Sequence, residues 1–269
     1  MNDGPIGIFD SGMGGLTVLR ALMDRLPNER FVYLGDTARL PYGTKSADTV
    51  TRYAVQAAGA LVKRHVKLLV VACNTASGVA LGALQEAFAP LAVIDVIAPG
   101  AEAALAASPL GPIAVIATEG TVEAGAYVRA IQARAPGVEV RQQACPLFVP
   151  LAEEGLIEGE IVELVAHRYL DRLLAGKPHA LVLGCTHYPV LKSTIAKITG
   201  PDVALVDSAA STAIAVDGRL RADKLLRDAT TAPAHRFLAT DAPQRFARVG
   251  RIFLSREIDP GSVELVDLQ

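Results

Sequence analysis

Short apolar runs alternate with longer stretches in which apolar residues recur every three or four positions, along nearly the whole chain. The short runs read as buried strands and the spaced pattern as helices with one buried face. Ile6-Gly7-Ile8-Phe9-Asp10 predicts a first strand, and Gly12 to Gly15 turns it into a helix. That helix carries Leu16, Leu19, Leu22, Met23 and Leu26 on one face and stops at Pro27. Phe31 to Gly35 predicts a second strand, followed by a loop from Asp36 to Gly43. Ser46 is placed to cap a helix with the stripe Val50, Tyr53, Ala54, Ala57 and Leu61, and Lys63, Arg64 and His65 fall in its last turn. A third strand runs from Leu68 to Cys73, a helix through Leu81, Leu84 and Phe88, and a fourth strand from Leu91 to Ile97.

From about residue 98 the pattern restarts. Ile113 to Ala117 resembles the first strand, Val138 to Ala144 the second, Ala180 to Cys185 the third and Val203 to Asp207 the fourth. Asp10 and Thr118 differ by 118 − 10 = 108, Cys73 and Cys185 by 185 − 73 = 112, and Asp95 and Asp207 by 207 − 95 = 112. A nearly constant offset over three landmarks predicts two related halves. Strands joined by helices predict mostly parallel sheets, hence an α/β fold of two pseudo-symmetric, flavodoxin-like lobes with the site in the cleft between them. The expected division is 1–97 plus 208–269 for the first lobe and 98–207 for the second. After Ser208 comes a helix rich in Ala, Arg and Leu, a short strand at Arg236 to Ala239, and a mixed tail. That remainder is too small for a domain, and is expected to pack back on the first lobe.

The 269 residues suit one large domain or two ordinary ones, and 51% apolar with 20% charged residues supplies ample core. A net charge of −2 and a pI near 6.2 give no general basis for nucleic-acid binding. Three Cys form no disulfide framework and read as reduced thiols. Met1-Asn2-Asp3-Gly4-Pro5 has neither a basic region nor an apolar signal core, and Leu68 to Cys73 is too short to span a bilayer. The expectation is a cytoplasmic protein without a membrane partner; a homodimer stays open.

The chemistry concentrates at two matching stretches, Val71-Ala72-Cys73-Asn74-Thr75 and Leu183-Gly184-Cys185-Thr186-His187. In each, an apolar strand ends in a thiol followed by a polar pair, and ligands of open α/β sheets bind just beyond such strand ends. Two thiols approaching one small molecule from opposite sides would make a two-base proton-transfer site. A thiol of ordinary pKa is only a few per cent ionised at neutral pH, so helix N-termini, Asp10 and His187 are candidates to assist. Asp10-Ser11-Gly12-Met13-Gly14-Gly15 lacks both the dinucleotide and the Walker spacing, which leaves a site for a small anion such as a carboxylate. Cys185 and His187 also permit a zinc reading, without the spacing of a tetrahedral set; a Cys-His acyl-transfer enzyme would leave the second Cys unexplained. Glu153 by itself reads as a solvated acid on a loop or helix start, and Cys145 as structural. His65, His167, His179 and His235 read as lying at helix or strand ends.

Asp-Ser-Gly-x-Gly-Gly at 10–15, Gly-Asp-Thr-Ala-Arg-Leu-Pro-Tyr-Gly at 35–43, Ala-Cys-Asn-Thr-Ala-Ser at 72–77 and Gly-Cys-Thr-His-Tyr-Pro at 184–189 together resemble the glutamate racemase family. The resemblance covers nearly the whole chain in order, its tail least. It implies a racemase without cofactor or metal that makes D-glutamate for bacterial peptidoglycan. It implies Cys73 and Cys185 as the acid/base pair, Cys73 serving the D enantiomer with Asp10, and Cys185 the L enantiomer with Glu153 and His187. It further implies a glutamate pocket of Asp10, Ser11, Pro41, Tyr42, Gly43, Asn74, Thr75, Thr118, Thr186 and His187. An aspartate or hydantoin racemase with the same thiols is the competing enzyme, and a two-lobed solute binder the competing non-enzyme.

Overall fold

The computed structural model describes residues 3–228 and 231–268, so Met1 and Asn2 of the N-terminal stretch and the last residue of the tail lie outside the described residues. The chain begins β1 (Ile6–Asp10), α1 (Leu16–Arg25), β2 (Phe31–Gly35), α2 (Ala47–Val62), β3 (Leu68–Val71), α3 (Asn74–Ala87) and β4 (Val93–Asp95). It continues with α4 (Ile97–Ala107), β5 (Ile113–Ala117), α5 (Glu119–Ala124), α6 (Ala126–Arg134), β6 (Val140–Ala144), α7 (Phe148–Glu153), α8 (Glu160–Leu174), β7 (Ala180–Gly184), α9 (Lys192–Thr199) and β8 (Ala204–Asp207). It closes with α10 (Ser208–Ala222), β9 (Arg236–Ala239), α11 (Pro243–Leu254) and β10 (Val263–Leu265).

Among the described residues the strands form two wholly parallel sheets, one of six strands in the order β10-β9-β2-β1-β3-β4 and one of four in the order β6-β5-β7-β8. Four strands in the same relative order recur in both, so the sequence offset is a structural repeat. Asp95 and Asp207 do the same job in each copy. Asp95 accepts from the amides of Ile97 and Ala98 at 2.8 and 3.2 Å, and Asp207 from that of Ala209 at 2.8 Å; each starts the helix after a fourth strand. The chain then returns to the first sheet, where β9 pairs with β2 from Val32 opposite Arg236 to Gly35 opposite Ala239.

The core has three parts. One packs α2 and α3 on the outer face of the first sheet, through Phe9, Val50, Leu61, Val71 and Leu84. One packs α8 and α9 on the second, through Ile116, Val162, Leu170, Leu183 and Ile195. The third lies between the sheets and takes residues from both, among them Ile8, Leu19, Val70, Val115, Tyr127, Val182 and Val216. A shared central layer, rather than a linker, joins the lobes.

Four sequence expectations shift. α2 ends at Val62, because the amides of Arg64 and His65 turn to the shorter Leu61 and Val62 carbonyl bonds at 2.9 Å; Lys63, Arg64 and His65 therefore form the turn beyond the helix. The fourth strand shortens to Val93–Asp95, since Asp95 already caps α4. The tail contains α11, whose Phe246, Val249, Gly250 and Phe253 bury one face, and β10 on the sheet edge. His167 lies inside α8 rather than at an end.

Candidate active site

In both sheets the strand order reverses beside the first strand of the repeat, which opens a crevice at the carboxyl ends. Asp10 ends β1 and Cys73 follows β3; Thr118 follows β5 and Cys185 follows β7. Across these ends the lobes enclose a cavity of about 230 Å3. The first lobe supplies Ser11, Gly12, Leu40, Pro41, Tyr42, Gly43, Cys73, Asn74 and Thr75. The second supplies Thr118, Val149, Pro150, Glu153, Cys185, Thr186 and His187. Both strand-end thiols thus reach one chamber, while Cys145 is buried elsewhere, with its thiol near the Gln143 carbonyl at 3.6 Å.

Asp10 stands behind that wall. It is fully buried, one carboxylate oxygen accepts from the Gly12 amide at 3.0 Å, and the other has no hydrogen-bond partner among the described residues. Burial pushes its pKa above the ordinary carboxylate value, against the His187 charge and the turn amides. Cys73 is the N-cap of α3: its thiol donates to the Ser11 hydroxyl at 3.5 Å, and its sulfur accepts from the Ala76 amide at 3.5 Å. Burial first and the Asp10 charge second push its pKa up to about 12, over the opposing pull of those two hydrogen bonds.

Cys185 faces a different set. Its sulfur lies 3.9 Å from His187 Nδ1, and His187 Nε2 lies 3.2 Å from Glu153 Oε1. Burial works against a charged His187, but the hydrogen bonds and charges of Cys185 and Glu153 outweigh it and hold the imidazole pKa well above its usual 6.5. Burial likewise raises Glu153, and His187 together with Arg245 brings it below its usual 4.5. Glu153 is the last residue of α7, not a helix start, and is only 12% exposed. His187 precedes a single 3-10 turn, Tyr188–Leu191, so no α-helix N-terminus serves Cys185 as one serves Cys73.

The lobes touch on both sides of the chamber. On one side the Thr75, Thr118 and Thr121 hydroxyls form a triangle with edges of 3.0 to 3.2 Å, and the buried Tyr127 hydroxyl donates to Asn74 Oδ1 at 2.8 Å. On the other, Thr17 donates to the Thr186 carbonyl at 3.0 Å and Arg245 to Glu153 Oε2 at 2.8 Å, while Phe253 meets the His187 ring edge-on at 4.9 Å. Gly14 fits there because it has no side chain: a Cβ would lie 2.3 Å from His187 Nδ1. Sequence reasoning missed Leu40, Val149 and Pro150 on the walls and Thr121, Tyr127, Arg245 and Phe253 behind them. Among the described residues no three or more His, Cys, Asp or Glu side chains are grouped to hold a metal ion. Two thiols, a charged relay and convergent hydroxyls suit proton transfer on a small polar molecule.

A family model described as Asp/Glu/Hydantoin racemase matches residues 16–216. The glutamate racemase of Geobacter metallireducens is 51% identical over 264 residues, covering 98% of this chain and 97% of its own. The solved glutamate racemase of Francisella tularensis, in complex with D-glutamate, superposes with a TM-score of 0.93 at 43% identity, covering 100% of this chain and 99% of its own. That of Escherichia coli, in complex with L-glutamate, superposes with a TM-score of 0.77 at 30% identity, over 93% and 95% of the two chains.

Proposed function

The chain belongs to the Asp/Glu/Hydantoin racemase family, and from that premise we propose that it interconverts L- and D-glutamate by a two-cysteine proton transfer without a cofactor. The observation that carries this reading is that Cys73 and Cys185, from equivalent strand ends of the two lobes, line one cavity. Glutamate, rather than aspartate or a hydantoin, is the substrate favoured by full-length relatives at this level of identity.

In the L-to-D direction Cys185, as thiolate, is the base, with His187 Nδ1 3.9 Å from its sulfur. It takes the α-proton, the electron pair of that C–H bond spreads into the carboxylate, and the Cys73 thiol returns a proton to the opposite face. The products are D-glutamate, a Cys73 thiolate and a Cys185 thiol; the D-to-L direction runs the same steps backward. The high pKa of Cys73 suits an acid that holds its proton until a carbanion faces it. The positive end of α3, behind Asn74 and Thr75, offers charge stabilisation where the carboxylate gains electron density. Asp10 and His187 serve as the proton-exchange partners of their respective thiols. D-glutamate so formed would feed peptidoglycan synthesis in the cytoplasm; no helix among the described residues is long and apolar enough to cross a membrane.

The test is incubation with L-glutamate in deuterated water, without added cofactor, following optical activity and α-deuterium. The parent and Cys145→Ala are expected to lose rotation and gain deuterium together, and Cys73→Ala and Cys185→Ala to show no racemisation. Substantial racemisation by either of the latter two overturns the two-base assignment.

A further inference from the structure

The relay behind Cys185 does not end at Glu153. The Glu153 carboxylate divides its oxygens, Oε1 toward His187 at 3.2 Å and Oε2 toward Arg245 Nη2 at 2.8 Å. Glu153 ends α7, where a carboxylate has the wrong sign for the helix terminus, so its orientation depends on these two partners. Arg245 lies on α11, which links β9 to β10 of the first sheet, whereas Glu153, Cys185 and His187 all belong to the second lobe. The same helix, just over two turns on, sets Phe253 edge-on against the His187 ring.

We propose that Arg245 is a positioning residue: by gripping Glu153 from the opposite lobe, it fixes the His187 ring against Cys185 and makes that alignment conditional on the lobes being together. This rests on the reading of Cys185 as the base that acts on L-glutamate. Arg245 is 40% exposed, so the ion pair in itself contributes little to stability. Its weight is geometric. The Cys185–His187 distance of 3.9 Å is already near the limit for a hydrogen bond to sulfur, so a small rotation of the ring breaks it. Open lobes carry Arg245 and Phe253 away together, and the imidazole then loses its outer carboxylate clamp and its ring wall. The first lobe thus prepares its neighbour's base as the cleft shuts on substrate.

The experiment compares Arg245→Met, which keeps an unbranched stem without charge, Arg245→Lys, which restores the charge, and Arg248→Met, which removes an exposed charge three residues along the same helix. Rates in both directions and isotope effects with α-deuterated L- and D-glutamate are measured on protein checked for folding. Arg245→Met is expected to lower kcat/KM by about tenfold to a hundredfold, equally in both directions because the enzyme cannot move the equilibrium. Its isotope effect should rise with L-glutamate and not with D-glutamate. Arg245→Lys should recover most of the rate, and Arg248→Met should match the parent. A folded Arg245→Met with parental rate and L-side isotope effect overturns the proposal, as does a rise confined to the D side. Should that variant not fold, Arg245→Gln is read by the same criteria. Racemisation by Cys185→Ala would instead remove the underlying base assignment, so the two failures are separable.

Discussion

Replacing Gly14 by Ala adds one methyl group where the two lobes meet. Gly14 has none of the positive φ values that favour glycine, so the backbone accepts alanine and the whole effect is steric. The new Cβ would sit 2.3 Å from His187 Nδ1 and 2.5 Å from Thr186 Oγ1, whereas ordinary contact begins at 3.4 Å, so something must yield by about 1 Å. His187 cannot swing freely, because Phe253 covers its ring and Glu153 holds Nε2. If the Gly14 turn yields instead, it drags Ser11 from Cys73, 3.5 Å away. Either response displaces a catalytic partner by about 1 Å, which typically costs on the order of 10²-fold in rate, or about 2.7 kcal/mol of barrier. Overpacking costs a further 1–3 kcal/mol or so of stability, which a domain of ordinary stability survives. The assay is steady-state racemisation in both directions with a denaturant unfolding curve. Gly82→Ala, on the exposed face of α3 with nothing within 4 Å of its Cβ, is the companion; it should gain about 0.5–1 kcal/mol and leave the rate alone. A folded Gly14→Ala within about threefold of the parent rate would refute the claim that His187 position limits turnover.

Tyr127→Phe keeps the packing but leaves buried Asn74 Oδ1 without its donor; unfolding curves should show a loss of about 1–3 kcal/mol, and KM should rise in both directions. Parental stability and KM would show that Asn74 needs no such anchor. For Glu153→Gln the sign follows from the lowered carboxylate pKa: the pairing stabilises the fold above the usual value of 4.5 and is lost as pH falls below it through the folded value. The variant is therefore less stable at neutral pH, and the gap should close as pH falls below 4.5; a gap that stayed constant to low pH would mean that the carboxylate charge is not what matters.

Strands such as β1, β2 and β5 were legible because each is a short apolar run bounded by Gly, Asp, Thr or a polar turn, and burial on both faces demands that composition. Cys73 and Cys185 were legible because the repeat put them in the same context twice. α11 was hidden although its apolar spacing was available, since three arginines and an internal glycine made the tail read as mixed. Glu153 by itself looked like a surface acid; only tertiary packing brings Arg245 and His187 to its two oxygens, 92 and 34 residues away. Tyr127 gave no local sign of its bond to Asn74, 53 residues away. Sequence periodicity reports which face is buried, not which distant side chain it is buried against.

The return of β9 and β10 to the first sheet bears on the order in which the protein can be made. A nascent chain that has emerged as far as Asp207 carries every strand of the second sheet but only four of the six in the first. Until β9 arrives, about two hundred residues after its partner β2, the edge of β2 offers unpaired amides and carbonyls to any other strand nearby. The second lobe can close once β8 has emerged, whereas the first waits for β9 and β10. Truncation of the last few dozen residues would accordingly harm solubility before catalysis could be measured, and chaperone demand during synthesis falls on the half made first.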